Sequence, residues 1–126
     1  MAVLPDDALV VRGGANQPEN FTEGTGVEIG DDGLLKNVSV NCASGASIET
    51  LLAADPKTGF AGVRHGQYGV TTVGKIRACG GNVIPSRSKK NPFHATLVGL
   101  TPEKASELFQ PTVPNPFKKK NRRGAK

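Results

Sequence analysis

Tryptophan is absent from this chain, tyrosine occurs once, and aromatic residues together make up 5% of it. A core of that composition rests on aliphatic side chains, and an overall apolar content of 37% keeps it small. No apolar run approaches the length needed to span a bilayer, so no membrane partner is expected. The opening MAVLPDDALVV lacks a basic stretch and is interrupted by acids, unlike a signal peptide. The two cysteines, Cys42 and Cys79, are too few and too isolated for a zinc site or a disulfide framework. Together these absences predict a cytoplasmic protein without a bound metal. No pair of carboxylates stands at catalytic spacing. No glycine-rich run carries the lysine signature of a phosphate loop.

Glycine and proline, by contrast, are plentiful, at 16 and 9 residues. They predict short elements joined by tight turns. A length of 126 residues suits one domain with its own core. The net charge of +5 is unevenly placed: Lys118–Lys126 (KKKNRRGAK) holds six basic residues and no acid. Without that tail, ten Lys/Arg face eleven Asp/Glu, a body close to neutral at −1. Affinity for nucleic acid is therefore expected mainly from Lys118, Lys119, Lys120, Arg122 and Arg123.

The stretch His65–Phe109 is the best punctuated. Gln67–Thr72 reads as a strand whose last threonine caps a helix from Val73, stopped by Gly80-Gly81. Asn82–Pro85 reads as a strand and Ser86–Asn91 as a polar loop. In Phe93–Val98, alternation sets Phe93, Ala95 and Leu97 on one face and His94 and Thr96 on the other. Thr101-Pro102-Glu103 opens a helix. Upstream, Ala8–Arg12 is a buried strand ending in Gly13-Gly14, and Gln17–Phe21 starts a short helix at Pro18. Thr25–Asn37 is a Gly- and Asp-rich connection. Val38–Cys42 alternates as a half-buried strand, and Ser44 or Ser47 caps a helix that ends by Asp55-Pro56. Lys57–Gly66 is a glycine-rich loop with Arg64 and His65. The expected core is Val70, Val73, Ile76, Val83, Ile84, Phe93, Leu97, Leu100, Ala105 and Leu108. Residues 1–110 form the expected α+β domain, followed by a Pro-rich linker and disordered basic tail over 111–126.

The chemical inventory is small: Arg12, two histidines and several hydroxyls. His65 and His94 suit the acid and base of metal-independent RNA cleavage. A non-catalytic nucleic-acid-binding module using the tail is a second alternative. The pieces VVRGGANQPENF, YGVTTVGKIR and FHATLVGLTPEKASELF, in that order, resemble the ADP-ribosyltransferase-like fold of small bacterial toxins. That resemblance implies a small split β-sheet with short helices, NAD as cofactor, and a toxin-type protein with an antitoxin or immunity protein as partner. It implies that Arg12, beside Gly13, holds the dinucleotide. It implies that Thr71 and Thr72, with Ser39 as a rival, shape the nicotinamide pocket. His94 and Thr96 occupy the late strand, where the family carries a glutamate. If the sheet splits in the family's manner, Arg12, Thr71 and His94 are expected to look into one cleft.

Overall fold

The computed structural model describes residues 4–22 and 26–118. Among these described residues there are seven strands: β1 (Leu9–Gly13), β2 (Val27–Ile29), β3 (Leu35–Cys42), β4 (Gln67–Thr72), β5 (Asn82–Pro85), β6 (His94–Val98) and β7 (Val113–Pro114). Three short helices accompany them, α1 (Ile48–Leu52), α2 (Val73–Ala78) and α3 (Pro102–Phe109), with a 3-10 turn at Pro18–Phe21. The strands form one antiparallel sheet in the order β5-β6-β3-β1-β4-β7, and β2 pairs with β3. The fold is α+β. Each helix begins where a hydroxyl relieves its unpaired first amides. Ser47 Oγ accepts from Thr50 N at 3.1 Å, Thr72 Oγ1 from Lys75 N at 3.2 Å, and Thr101 Oγ1 from Lys104 N at 3.2 Å. Of the two serines considered for α1, Ser47 is the cap.

Residues opposite one another in antiparallel strands share a face, so the register sorts the side chains. Val10 pairs with Cys42 and with Thr71, Val40 with Ala95, and Leu97 with both Val38 and Val83. This face is apolar and lies under α2, α3 and the 3-10 turn, with Val73, Ile76, Ala105, Phe109 and Phe21 in the same core. The rings of Phe21 and Phe109 stack at 6.1 Å. The end of α3 lies directly on the backbone of β4. A Cβ at Gly69 would collide with the Phe109 carbonyl oxygen and stand 2.8 Å from Phe109 Cβ. The opposite face carries a smaller cluster of Val11 and Tyr68 against Leu51 and Leu52 of α1.

Several expectations change. Ile84 is 48% exposed, because β5 is the edge strand and Ile84 pairs with Thr96 on the face away from the helices. Phe93 lies just before β6 and joins the smaller cluster, meeting Phe60 edge-on at 5.3 Å, not the face of Ala95 and Leu97. β2 emerges from the Gly- and Asp-rich connection. Residues 111–118 are no linker, for Val113 and Pro114 pair with Tyr68 and Gln67 and extend the sheet. Lys118 is the only tail cation among the described residues; Lys119, Lys120, Arg122 and Arg123 lie outside them.

One irregularity of the sheet opens a gap between two strands. β1 runs along β4 for five paired positions but along β3 for only two, Val10↔Cys42 and Val11↔Asn41. Further toward the start of β3, the same edge is taken by β2, from Val38↔Val27 to Leu35↔Ile29. Between these pairings β1 and β3 part.

Candidate functional site in the gap between two strands

The parting of β1 and β3 opens a hollow of about 320 Å³. Gly13 borders it from β1, Ser39 and Asn41 from β3, and His94 from β6, with His65 and Asn91 supplied by loops. Ser39 and Asn41 reach it because they alternate with Val38, Val40 and Cys42, which point to the helix-covered core. The register Ser39↔Thr96 and Asn41↔His94 brings the polar sides of two neighbouring strands together.

His94 is the centre of a hydrogen-bond network. Its Nδ1 lies 2.7 Å from Ser86 Oγ and 3.1 Å from Ser86 O, and its Nε2 lies 3.1 Å from Ser39 Oγ. Ser86 Oγ is also 3.0 Å from Thr96 Oγ1. One proton arrangement satisfies every member. Nδ1–H donates to Ser86, the Ser86 hydroxyl donates to Thr96, and the Ser39 hydroxyl donates to Nε2. In this tautomer Ser39 is a hydroxyl whose proton points at a base, the arrangement that activates an oxygen nucleophile or holds a ligand hydroxyl; in the other, Nε2–H donates to Ser39 Oγ and the Ser86 hydroxyl donates to Nδ1. Asn91 Nδ2 donates to Asn41 Oδ1 at 2.9 Å, and Asn41 Nδ2 donates to Leu51 O at 3.1 Å, which ties the hollow floor to α1.

His65 enters from the loop after α1 and packs over the two glycines that follow Arg12. A Cβ on Gly13 would stand 2.5 Å from His65 Nδ1 and 2.6 Å from Val63 Cγ1. The loop is braced from the C-terminal side. Buried Asn115 donates through Nδ2 to Val63 O at 2.9 Å and to His65 O at 3.0 Å, and its own amide donates to Gly66 O at 2.9 Å.

Arg12 and Thr71 do not join His94. Arg12 borders the hollow, but its side chain follows Val10 to the helix-covered face, where the guanidinium lies 4.8 Å from the Phe21 ring centroid. Its Nη1 donates to Asn16 Oδ1 at 3.2 Å and its Nη2 to Asn20 O at 3.3 Å. Burial lowers the Arg12 pKa from its ordinary value, and among the described residues no carboxylate pairs with it. Thr71 also lies on that face, buried, with Oγ1 lacking a partner. Thr72 is the cap of α2 and pairs with Leu9, at the far end of β1 from Gly13. The expected meeting of Arg12, Thr71 and His94 in one cleft is not formed, because residue parity on β1 and β4 sends the first two to the other side of the sheet. Ser39, the rival to the threonines, is the hydroxyl that meets His94. Ser86, Asn41 and Asn91 enter the site from the structure alone, although the alternation V-S-V-N-C already sets Ser39 and Asn41 on one side.

Among the described residues no group of three or more His, Cys, Asp or Glu is placed to hold a metal ion, and no helix is long and apolar enough to cross a membrane. Comparison with protein-family models, curated proteins and solved structures finds no match to the chain.

Proposed function

We propose that the hollow is the dinucleotide pocket of an ADP-ribosyltransferase-like domain, acting on NAD as a toxin-type protein in the bacterial cytosol. The observation that carries this reading is the adjacency of β1, β3 and β6, with Ser39 Oγ 3.1 Å from His94 Nε2 and Gly13 across the gap. The resembled family puts its three roles on a first strand, a following strand and a late strand. On this reading Ser39 takes the second role in place of Thr71 and Thr72. His94, with Thr96 behind it through Ser86, stands where the family carries a glutamate. A neutral imidazole stabilises a developing ribose cation less than a carboxylate does, so the Ser39–His94 pair acts chiefly as hydrogen-bond partner and proton acceptor. Arg12 contributes by holding the Gly13 end of β1, not by touching the ligand.

The test is nicotinamide release from NAD by the full chain, followed by chromatography, together with bacterial growth on induction. Release and toxicity that both fall at least tenfold in Ser39→Ala and in His94→Ala, with the melting temperature lowered by a few degrees at most, are expected. Absence of release, with no shift of melting temperature at saturating NAD, overturns the reading.

A second reading has its own support, since His65 and His94 border the same hollow. Metal-independent RNA cleavage by this pair predicts products ending in 2′,3′-cyclic phosphate, abolished in His65→Ala as well as His94→Ala.

A further inference from the structure

The near-neutral charge of the body conceals an uneven distribution. The loop joining β5 to β6 has both ends held at the hollow, by Ser86 against His94 and by Asn91 against Asn41. Between these fixed ends it presents Arg87, Lys89 and Lys90, all exposed. On the other rim stand Arg64, also exposed, and Lys118, whose Nζ comes within 3.4 Å of the place a Cβ would take on Gly66. The three ion pairs among the described residues use Lys36, Arg77 and Lys104, and none of the five rim cations takes part. Arg64 lines the hollow itself, and the others lie beside its edge, on the loop anchored by Asn91 and next to Gly66; cations without acidic partners attract a polyanion.

We propose that this double rim binds a single-stranded nucleic acid, with backbone phosphates on the Arg87–Lys90 loop and on Arg64 and Lys118, and one nucleotide facing the hollow. The proposal goes beyond the NAD reading, and its phosphate contacts stand on different residues. Charge complementarity selects a polyanion, and the space between the rims selects which kind. The hollow takes most of its accessible lining from apolar atoms, a surface that suits the flat face of a base, and the exposed His65 imidazole stands at its edge. An acidic peptide or a membrane surface would use the cations and leave the hollow empty. A duplex keeps its bases stacked and has nothing to insert. Phe93 meets Phe60 edge-on, and Phe117 beside Lys118 packs partly buried against the smaller cluster, so binding is dominated by counterion release.

The experiment compares two variants of the full chain with equal reduction of charge, both keeping the C-terminal cations. One is Arg64→Ser/Arg87→Ser/Lys89→Ser/Lys90→Ser; the other is Lys36→Ser/Lys57→Ser/Lys75→Ser/Lys104→Ser. Fluorescence anisotropy of a short labelled oligonucleotide is followed over a range of salt, with RNA and DNA strands of the same sequence as separate arms. The rim variant is expected to bind on the order of tenfold more weakly. The magnitude of its log–log salt slope should fall by about 3, at roughly 0.7 for each phosphate no longer neutralised by a side chain. The charge-matched variant is expected to retain most of the affinity and slope. Equal weakening of both variants overturns the proposal, as does tighter binding of duplex than of single strand, or equal competition by polyglutamate or anionic vesicles. A chain that releases nicotinamide but treats both variants alike refutes the rim and keeps the pocket. A chain that binds strands through the rim but releases no nicotinamide refutes the pocket alone.

Discussion

The two faces of the sheet are made from the same strands and do opposite things. On the helix-covered face, Val10, Val40, Ala95 and Leu97 are between 0% and 3% exposed, and three helical segments close over them. On the other face the same strands turn Val11, Ser39, Asn41 and His94 toward one short helix, a glycine-rich loop and open space. One face therefore stores the stability and the other is free to hold polar groups that a well-packed core would not tolerate. Arg12 is the instructive exception. It belongs by parity to the packed face and is accommodated there by a ring face, an asparagine and a backbone carbonyl, at the cost of an Nε without a partner.

Substitutions that probe this division separate by size. Gly69→Ala should have the largest effect, since its Cβ meets the backbone of α3 and the helix must lift from β4; about 3 kcal/mol or more is expected in urea unfolding. Leu97→Ala, in the middle of the packed face, should cost roughly 2–5 kcal/mol by the same measurement. Arg12→Ala should cost about 1–3 kcal/mol, because it removes the cation–ring attraction together with the hydrogen bonds to Asn16 and Asn20. Ser39→Ala and His94→Ala, on the open face, should each change stability by about 1 kcal/mol or less, because water can replace the missing partner. A cost for His94→Ala as large as that for Leu97→Ala would abolish the distinction between the faces.

The cysteines report the smallest effect and sharpen the same contrast. Cys42 lies in the core, and burial pushes its thiol up to about 11 despite the opposing charge of Arg77. Cys79 is exposed at the end of α2. One thiol should react with an aromatic disulfide reagent in the native protein, and two in denaturant. For an acid whose pKa is raised by folding, the stabilisation is complete while both states are protonated. It declines as pH rises from the unfolded thiol's range, near 9, toward 11. Cys42→Ser should remove that part of the alkaline loss of stability.

Local signals made much of the fold legible. β4, α2, β5 and α3 fall where caps, glycines and prolines put them, because each is bounded by chemistry within a few residues. β2 and β7 were not legible, since three and two residues of strand carry no period of their own and exist through pairing with β3 and β4. The candidate site divided in the same way. Alternation placed His94 and Thr96 together, but it could not say which face of β1 adjoins them, because that depends on the register between strands far apart in sequence. A shift of one residue would have exchanged Arg12 for Gly13.

The strand order also has a meaning in time. Gly13 faces Ser39 across the hollow, and Ser39 meets His94, so the hollow unites residues from the first strand to the sixth, and Asn115 braces its rim. Such distant pairings must close large loops before they are rewarded, which slows folding. During synthesis a chain that has not yet extended beyond β5 possesses Ser39 but no imidazole to meet it. A nascent chain therefore has no Ser39–His94 pair until β6 has been made.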